Sequence, residues 1–392
     1  MQSQKAVDKT GFLDGWRGLA ALEVVLTHLG RLALTDPQQR HSYYLGNAWS
    51  HAWLSLASIP LRFGPASVWF FFVLSGFVIH LRYARCLAQD LATPFGWFHF
   101  FWRRFRRLYP PLVTALVVTW ILCAGAEHLR LPVFDWNLMR WDTTLSPIQL
   151  NLTTFLGNLL FLMTCYVPTF GTDAALWSLN REWWFYMLYP ALIPLLKGRR
   201  TPWLASAGVG ILFILSYLCH SYVLSLFRNI FHDMLLWWFG ALLAEVYVGR
   251  IPATMRQLAP LALLLPIAVV LSIFGPARLA QLSTIGEIIF GLGFVGLIAA
   301  GFFVQDTYGW SPAANLKWLG EMSYTLYVIH MPILTFAYAE LQHQLGADDT
   351  TVRIAAAPLL LVLVLLVAYF LHLAVERPFL ASSRKVPALR KR

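Results

Sequence analysis

Charged residues are scarce in this chain, and that scarcity excludes most classes of soluble protein. Asp, Glu, Lys and Arg make up 12% of its 392 residues, whereas a soluble globular domain carries about 25%. Hydrophobic residues make up 58%, and the mean hydropathy is +0.59. These values predict an all-α, polytopic membrane protein that has the lipid bilayer as a partner. The 17 tryptophans and 15 tyrosines are typical of aromatic belts at the membrane surfaces.

Cysteines and common catalytic motifs are also in short supply. The chain has four cysteines, none of which forms a CxxC pair or a metal-binding spacing. We therefore interpret them as core residues of helices and not as disulfides. The chain has no GxSxG, HExxH or Walker pattern, which argues against hydrolases, zincins and P-loop enzymes. We expect no metal and no permanently bound cofactor.

Internal repeats, low-complexity runs and a soluble domain are missing as well, so we predict one membrane-embedded domain over residues 1–392. The net charge of +11 would suggest a nucleic-acid partner in a soluble protein. Lys and Arg in cytoplasmic loops explain that charge here, because positive residues favour the inner side of a membrane. We therefore expect no nucleic acid.

Ten apolar segments are long enough to cross the bilayer as helices, which takes about 20 residues each. They are 12–34, 64–82, 108–126, 177–196, 202–221, 232–249, 257–275, 283–304, 318–341 and 353–375. An eleventh candidate, 151–166, is short and polar at its start, which is typical of a re-entrant or interfacial helix.

The distribution of basic residues predicts whether that eleventh segment crosses. If it does not, and the N-terminus is cytoplasmic, 20 of the 30 basic residues lie inside and eight outside. If it crosses, 11 lie inside and 17 outside. The positive-inside rule therefore favours ten crossings with both termini in the cytoplasm.

The first predicted helix carries four ionisable residues, Asp14, Arg17, Glu23 and His28, in an otherwise apolar stretch. Charged side chains within the bilayer are costly and are candidates for function. Arg17 and His28 are eleven residues apart, which is about three helical turns, or about 16 Å along one face. That spacing suits a long substrate with an anionic part and a reactive end. Pairing of each group with a polar neighbour in a helix bundle is the alternative.

Four arginines, Arg103, Arg104, Arg106 and Arg107, lie within five residues at the predicted cytoplasmic start of the third helix. Guanidinium groups bind phosphate in a two-pronged manner, so the cluster is a candidate anion site. A role in setting topology or in binding lipid headgroups explains the same pattern.

Three further helices carry polar candidates. Ser75 precedes Gly76, and these small residues favour close helix packing. Asn180, Arg181 and Glu182 lie beside aromatic residues near the start of the fourth helix. Glu182 is a candidate to orient a histidine, to bind a hydroxyl or to pair with Arg181. The remaining candidates, on one face of the ninth helix, are Ser323, Tyr327 and His330, as catalytic groups or as hydrogen-bonded struts.

The motifs together resemble acyltransferase family 3, a family of bacterial integral-membrane acyltransferases. They are Leu13-Asp14-Gly15 with Arg17-x10-His28, the run from Phe71 to Phe77, Arg104-x-x-Arg107, Trp177-Ser-Leu-Asn-x-Glu182, Leu319 to His330, and Glu376-Arg-Pro-Phe379. The resemblance implies a ten-helix core in the bacterial inner membrane. It also implies O-acylation of a glycan or lipid-linked sugar from acyl-CoA as co-substrate, with acetyl as the usual group. Arg181 departs from the family pattern, where an apolar residue is usual.

On this basis we expect Arg103, Arg104, Arg106 and Arg107 to bind the phosphates of acyl-CoA, with Arg17 above them. His28 is the expected general base or, alternatively, a covalent acyl relay. Glu182 or Glu23 is expected to orient it. Supporting or acceptor-binding roles are expected for the remaining polar candidates, which are Asp14, Ser75, Asn180, Ser323, Tyr327 and His330.

A secondary transporter of an anionic metabolite is the rival interpretation, because intramembrane Arg, His and Glu suit a carrier as well. Transporters commonly contain paired repeats with broken helices, and the chain shows none. O-acylation of a small natural product is a third possibility, with the same chemistry on another acceptor.

Overall fold

The computed structural model describes residues 10–34, 63–89, 96–131, 148–196, 201–218, 225–274, 284–345 and 350–381. Within these ranges every regular element is helical, apart from two isolated bridges, Gln149–Phe170 and Met163–Val167. The all-α prediction is confirmed for this part of the chain.

The α-helices, numbered in chain order, are α1 (Phe12–Leu34), α2 (Gly64–Ala88), α3 (Trp97–His128), α4 (Leu152–Leu159), α5 (Trp177–Leu192), α6 (Thr201–Ser216), α7 (Ser225–Tyr247), α8 (Met255–Leu258), α9 (Leu264–Phe274), α10 (Thr284–Tyr308), α11 (Lys317–Glu321), α12 (Ser323–Leu345), α13 (Thr350–Leu371) and α14 (Arg377–Ala381). Short 3₁₀ turns precede α5, α9 and α11, another follows α5, and a π-helical stretch, His372–Glu376, joins α13 to α14.

Each of the ten predicted segments overlaps one or more of these helices. Two of the segments contain parts of two α-helices instead of one. The segment 257–275 is divided by a 3₁₀ turn, Ala259–Leu263, with proline near its start. Proline lacks an amide hydrogen and its ring clashes with the preceding turn, so the α-helical ladder is interrupted there. The segment 318–341 is divided at Met322, between α11 and α12.

Four helical stretches are both long and apolar enough to cross a membrane, namely Gly64–Ala88, Trp97–His128, Thr284–Tyr308 and Val352–Phe379. This finding, which rests on length and composition, supports a membrane protein. Ten crossings stay a prediction.

The segment 151–166 forms a short helix and then a tight turn. Asn151 caps α4 by accepting a hydrogen bond from the amide of Thr154 at 2.8 Å. After α4, Phe161 and Thr164 adopt positive φ angles of 54° and 60°. Eight helical residues span about 12 Å, far less than the bilayer core of about 30 Å. The helix is therefore too short to cross, as the charge distribution predicts.

Contacts divide the chain into two compact units. The first comprises described residues within Met1–Ala20, Pro65–Pro94 and Met187–Glu321. Its core includes Phe77 and Phe302, which are fully buried. Helices α2 and α7 cross at two glycines. A Cβ on Gly76 would lie 1.8 Å from the carbonyl oxygen of Trp237, and one on Gly240 would lie 1.8 Å from that of Val73. Only glycine allows the two backbones to approach this closely.

The second unit comprises described residues within Ala21–Gly64, Phe95–Tyr186 and Met322–Arg392. Within it, α12 packs against α3 and α13. Ala126, Leu131 and Ala339 form a small apolar cluster there. This unit contains the second half of α1, all of α3 and the first part of α5. It therefore includes His28, Glu182 and the four arginines of α3.

Candidate active site

Two histidines meet in the second unit. The rings of His28 on α1 and His330 on α12 have centroids 5.2 Å apart and are tilted by 40°. His330 is fully buried, and His28 is half-buried with its Nδ1 atom shielded from solvent. The structure therefore brings the sequence candidate for the general base next to a residue that the sequence offered as a catalytic group or as a hydrogen-bonded strut.

The hydrogen bonding of His330 fixes where its proton lies. Its Nδ1 atom is 2.7 Å from the backbone oxygen of Tyr327, and a carbonyl oxygen only accepts, so Nδ1 carries the hydrogen. In a neutral imidazole the other nitrogen then has an unprotonated lone pair. That Nε2 atom is buried and has no hydrogen-bond partner among the described residues. It is thus a base held beside His28.

Tyr327 links the histidine pair to the start of α5. Its hydroxyl lies 2.6 Å from the hydroxyl of Ser178 and donates to the backbone oxygen of Ala175 at 3.1 Å. Its ring centroid is 5.9 Å from that of His330. Tyr327 therefore contacts the histidine pair on one side and the start of α5 on the other, while Ser323 is buried one turn earlier on α12.

The arginine cluster on α3 is part of a charged network. The Arg104 guanidinium lies 5.2 Å from the ring centroid of Tyr186 and 5.3 Å from that of Phe100. Arg107 interacts electrostatically with the carboxylates of Glu182 and Glu376.

The outer members of the cluster have different surroundings. Arg106 donates to the backbone oxygen of Phe379 at 3.1 Å, and Arg103 is half-buried. Arg104 thus faces aromatic rings and Arg107 faces carboxyl and phenol groups, whereas Arg106 contacts the backbone of α14.

Glu182 and Glu376 are held by short hydrogen bonds. Glu182 accepts one from the hydroxyl of Tyr186. Glu376 accepts from the hydroxyl of Thr325 at 2.7 Å and lies 2.9 Å from Nδ1 of His372. Glu182 is therefore engaged with the arginine network, and its expected role in orienting His28 stays a prediction.

Arg17 and Asp14 lie in the first unit. Arg17 forms an ion pair with Asp14 at 3.1 Å and donates to the backbone oxygen of Gly320 at 2.6 and 3.2 Å. These contacts fix the guanidinium at the junction before α12. The helix α1 runs unbroken through Arg17 and His28, as their shared-face spacing requires.

Two other candidates have contacts that stabilise the fold. Asn180 donates to the backbone oxygen of Phe161 at 2.5 Å and accepts from Arg181 at 2.8 Å. It thereby holds the turn after α4. Ser75 accepts a hydrogen bond from the indole of Trp237 at 3.3 Å beside the glycine crossing, which supports the packing role expected for it.

A polar network in the first unit has no signal in the sequence. His80 is near the predicted cytoplasmic end of α2, where a solvated imidazole is the usual expectation, yet it is fully buried. Its Nδ1 atom is 2.8 Å from the hydroxyl of Tyr189, and its Nε2 atom is 2.5 Å from Glu245. Glu245 also pairs with Arg250 at 2.8 Å. These partners explain how the imidazole is stabilised in the core.

One group of described residues has metal-like spacing. His232, Asp233 and Glu287 place ligand atoms within 4.8 Å of one another. The ring nitrogens of His232 already have protein partners, Asp233 at 3.2 Å and Thr284 at 3.4 Å. Hydrogen bonds thus account for this group, and the expectation of no metal stays a prediction.

Histidines and arginines among apolar helices mark this region as a candidate functional site of a membrane protein. Residues 10–373 match the family described as an acyltransferase domain. Because this match covers most of the chain, the protein belongs to that family, acyltransferase family 3, and is a membrane acyltransferase. The resemblance seen in the motifs is confirmed.

The chain is also similar to a curated protein. Protein 2 in the picA locus of Rhizobium radiobacter is 30% identical over 183 residues, which are 46% of this chain and 78% of the relative. No solved structure matches the chain.

Proposed function

We propose that this protein transfers an acetyl group from acetyl-CoA, bound on the cytoplasmic side of the bacterial inner membrane, to a hydroxyl of an extracytoplasmic glycan or lipid-linked sugar. The observation that carries the proposal is the His28–His330 pair, with ring centroids 5.2 Å apart, in a chain of an acyltransferase family. Family membership favours the enzyme over the transporter.

In direct transfer, the acceptor hydroxyl attacks the thioester carbonyl carbon while an imidazole takes the hydroxyl proton. The carbon–oxygen bond forms, the carbon–sulfur bond breaks, and the coenzyme A thiolate receives the proton. A histidine needs little adjustment for this work, because its ordinary pKa lies near neutral pH. His28 is the proposed base, and the unprotonated Nε2 of His330 is a second acceptor for the same proton.

An acyl relay distributes the steps differently. A ring nitrogen of His28 would attack the thioester carbonyl carbon, the carbon–sulfur bond would break, and the departing coenzyme A thiolate would take the proton. The acceptor hydroxyl would then attack the acyl carbon, the carbon–nitrogen bond to His28 would break, and His330 would take the hydroxyl proton. Rapid acid quenching with acetyl-CoA alone separates the two routes. A radiolabelled, hydroxylamine-sensitive protein adduct supports the relay, and its absence with transfer intact supports direct attack.

The donor phosphates are assigned to Arg103, Arg104, Arg106 and Arg107, with Arg17 as a helper. Supporting observations are the clustering of four guanidinium groups on one helix, the interactions of Arg104 and Arg107 with Tyr186, and that of Arg107 with Glu182. A preformed network of this kind holds the guanidinium groups in place before the anion binds, which lowers the entropy cost of binding.

The test uses the full chain purified in lipid nanodiscs, with radiolabelled acetyl-CoA and crude envelope glycan. Wild type is expected to transfer label, and His28→Ala to lose transfer while remaining folded. The Arg104→Ala/Arg107→Ala variant is expected to raise the KM for acetyl-CoA. Normal transfer by His28→Ala would refute the proposal, as would substrate counterflow in proteoliposomes without any label transfer.

A further inference from the structure

The side chain of Asp173, just before α5, is buried without a partner. It is fully covered by protein, and neither carboxyl oxygen has a hydrogen-bond partner among the described residues. Asp173 occupies the N-cap position of a 3₁₀ turn but makes no side-chain capping bond. Burial raises the pKa of Asp173 well above its ordinary value. The nearby amide of Ala175, which does not reach hydrogen-bond geometry, lowers this pKa only in part. Such a carboxyl is costly to keep unless a ligand uses it.

A second unsatisfied group lies on the adjacent helix surface. Thr119 on α3 is fully buried, and its hydroxyl has no hydrogen-bond partner among the described residues. A Cβ on Gly171, two residues before Asp173, would lie 2.6 Å from the methyl group of Thr119. Cys123, one turn after Thr119, interacts electrostatically with Asp173. The carboxyl and the hydroxyl therefore belong to one small region.

This region adjoins the histidine pair through Tyr327. The Tyr327 phenol interacts electrostatically with Asp173 and donates to the backbone of Ala175, two residues beyond it. The same ring lies 5.9 Å from His330. All of these residues belong to the second unit. Asp173 thus lies one side chain beyond the proposed reaction centre, in a segment that the charge distribution predicts to be extracytoplasmic.

We propose that Asp173, together with Thr119, binds adjacent hydroxyl groups of the acceptor and so selects a vicinal diol of a sugar ring. One carboxyl oxygen of Asp173 accepts from a ring hydroxyl, and the other accepts from the neighbouring hydroxyl or, when protonated, donates to it. The threonine hydroxyl provides a further donor or acceptor. A ligand of this kind satisfies the groups that the described residues leave without partners. The inference rests on the proposed function, because it assigns the acceptor of that reaction to a class.

The test measures transfer to envelope glycan in nanodiscs with a panel of methyl hexopyranosides as competitors, each with its deoxy counterpart. At least one glycoside is expected to compete with the glycan and not with acetyl-CoA, and its deoxy form to compete less. Asp173→Asn is expected to raise the KM for glycan and the inhibition constant of that glycoside by about tenfold, with kcat and the KM for acetyl-CoA unchanged. Asp306→Asn, an exposed carboxylate change on α10, is the matched control.

The stability readout separates recognition from a structural role. Asn has the shape of Asp without its buried carboxyl, so Asp173→Asn is expected to melt no lower than wild type. A lower melting temperature with an unchanged KM for glycan would overturn the proposal, as would a panel in which no glycoside competes. If Asp173→Asn fails to reach the membrane, Asp173→Ser is measured in the same way. Absence of any transfer by wild type instead overturns the proposed function.

Discussion

At the scale of single residues, the proposed chemistry depends on which nitrogen of the His330 imidazole holds the proton. The backbone oxygen of Tyr327 takes the hydrogen of His330 Nδ1 at 2.7 Å, and this leaves Nε2 as a base next to His28. A histidine with the opposite tautomer would present a donor there and could not remove a proton. The backbone of α12 therefore sets the chemical character of the histidine pair.

We expect His330→Ala and His330→Gln to lower kcat by about 10²- to 10⁴-fold, the range typical of a lost acid–base group. Gln retains an amide donor for the backbone oxygen of Tyr327 but has no basic nitrogen. His330→Gln therefore keeps its activity if His330 is only a hydrogen-bonded strut, and loses it if His330 is a base. Initial rates of radiolabel transfer measure the effect. His343→Ala, an exposed change on the same helix, is the control, and near-normal turnover in His330→Gln would assign His330 to a structural role.

The second prediction at this scale concerns the His80–Glu245–Arg250 network. We expect Glu245→Ala to destabilise the protein by about 3–5 kcal/mol, because it removes the buried carboxylate that is the partner of both the His80 imidazole and the Arg250 guanidinium. Glu245→Gln, which keeps one accepting oxygen, is expected to cost less. Thermal unfolding in detergent measures both. Glu321→Ala removes an exposed carboxylate and is expected to change the melting temperature little; equal effects from the two alanine variants would contradict the prediction.

At the scale of helices, packing is decided by where glycines allow backbones to meet. Gly76 and Gly240 face each other's helices, and in both cases an added Cβ would fall 1.8 Å from a backbone oxygen. Backbone atoms cannot rotate away as a flexible side chain does. The contact between α2 and α7 therefore depends on these two positions, and the polar network of His80 lies on the same pair of helices.

We expect Gly76→Ala to prevent this close approach and to lower the yield and melting temperature of the protein sharply. Gly210→Ala is the matched variant, because a Cβ there meets nothing within 4 Å. Since Gly210 is inside α6, alanine is expected to stabilise that helix by about 0.4–1 kcal/mol. Fluorescence-detected size-exclusion chromatography after heating compares the two; similar stability of both variants would show that the backbones separate without cost.

At the scale of the whole molecule, the sequence pattern and the helices agree on where the chain is apolar. Four stretches satisfy the length and hydropathy expected of a membrane span. The helices α1 and α12, which carry ionisable and polar candidates along their length, are not among these four. The arginine cluster, in contrast, lies near the start of α3, so the remainder of that helix is apolar enough to cross. Polar groups lower the hydropathy of a span most where they lie within the apolar segment itself.

We expect ten crossings with both termini in the cytoplasm. Alkaline phosphatase fused after residue 150 and after residue 170 is expected to be active in both cases, because α4 is too short to cross between them. A fluorescent protein fused after residue 392 is expected to fluoresce, because the C-terminus is cytoplasmic in this topology. Opposite results at 150 and 170 would mean that the segment between them crosses and that the later helices are inverted.

The sequence predicted the positions of the candidate residues along the chain. The spacing of Arg17 and His28 and the clustering of four arginines follow from local sequence, and both residue sets occupy helices as expected. The partners of these residues were not predictable. Nothing in the sequence near His80 indicates Tyr189 and Glu245, and nothing near Glu182 indicates Arg107. The prediction of a single domain stays a prediction, and contacts divide the described chain into two units.

The sequence by itself determined the class of protein, the approximate positions of the described helices and the residues proposed for the site. Hydropathy and helical periodicity are properties of neighbouring residues, so they can be read without a fold. Only the tertiary structure decided that His28 meets His330, which proton His330 keeps, and that Asp173 is buried without a partner. Those facts depend on helices from distant parts of the chain packing together, and no local pattern encodes which side chains then face each other.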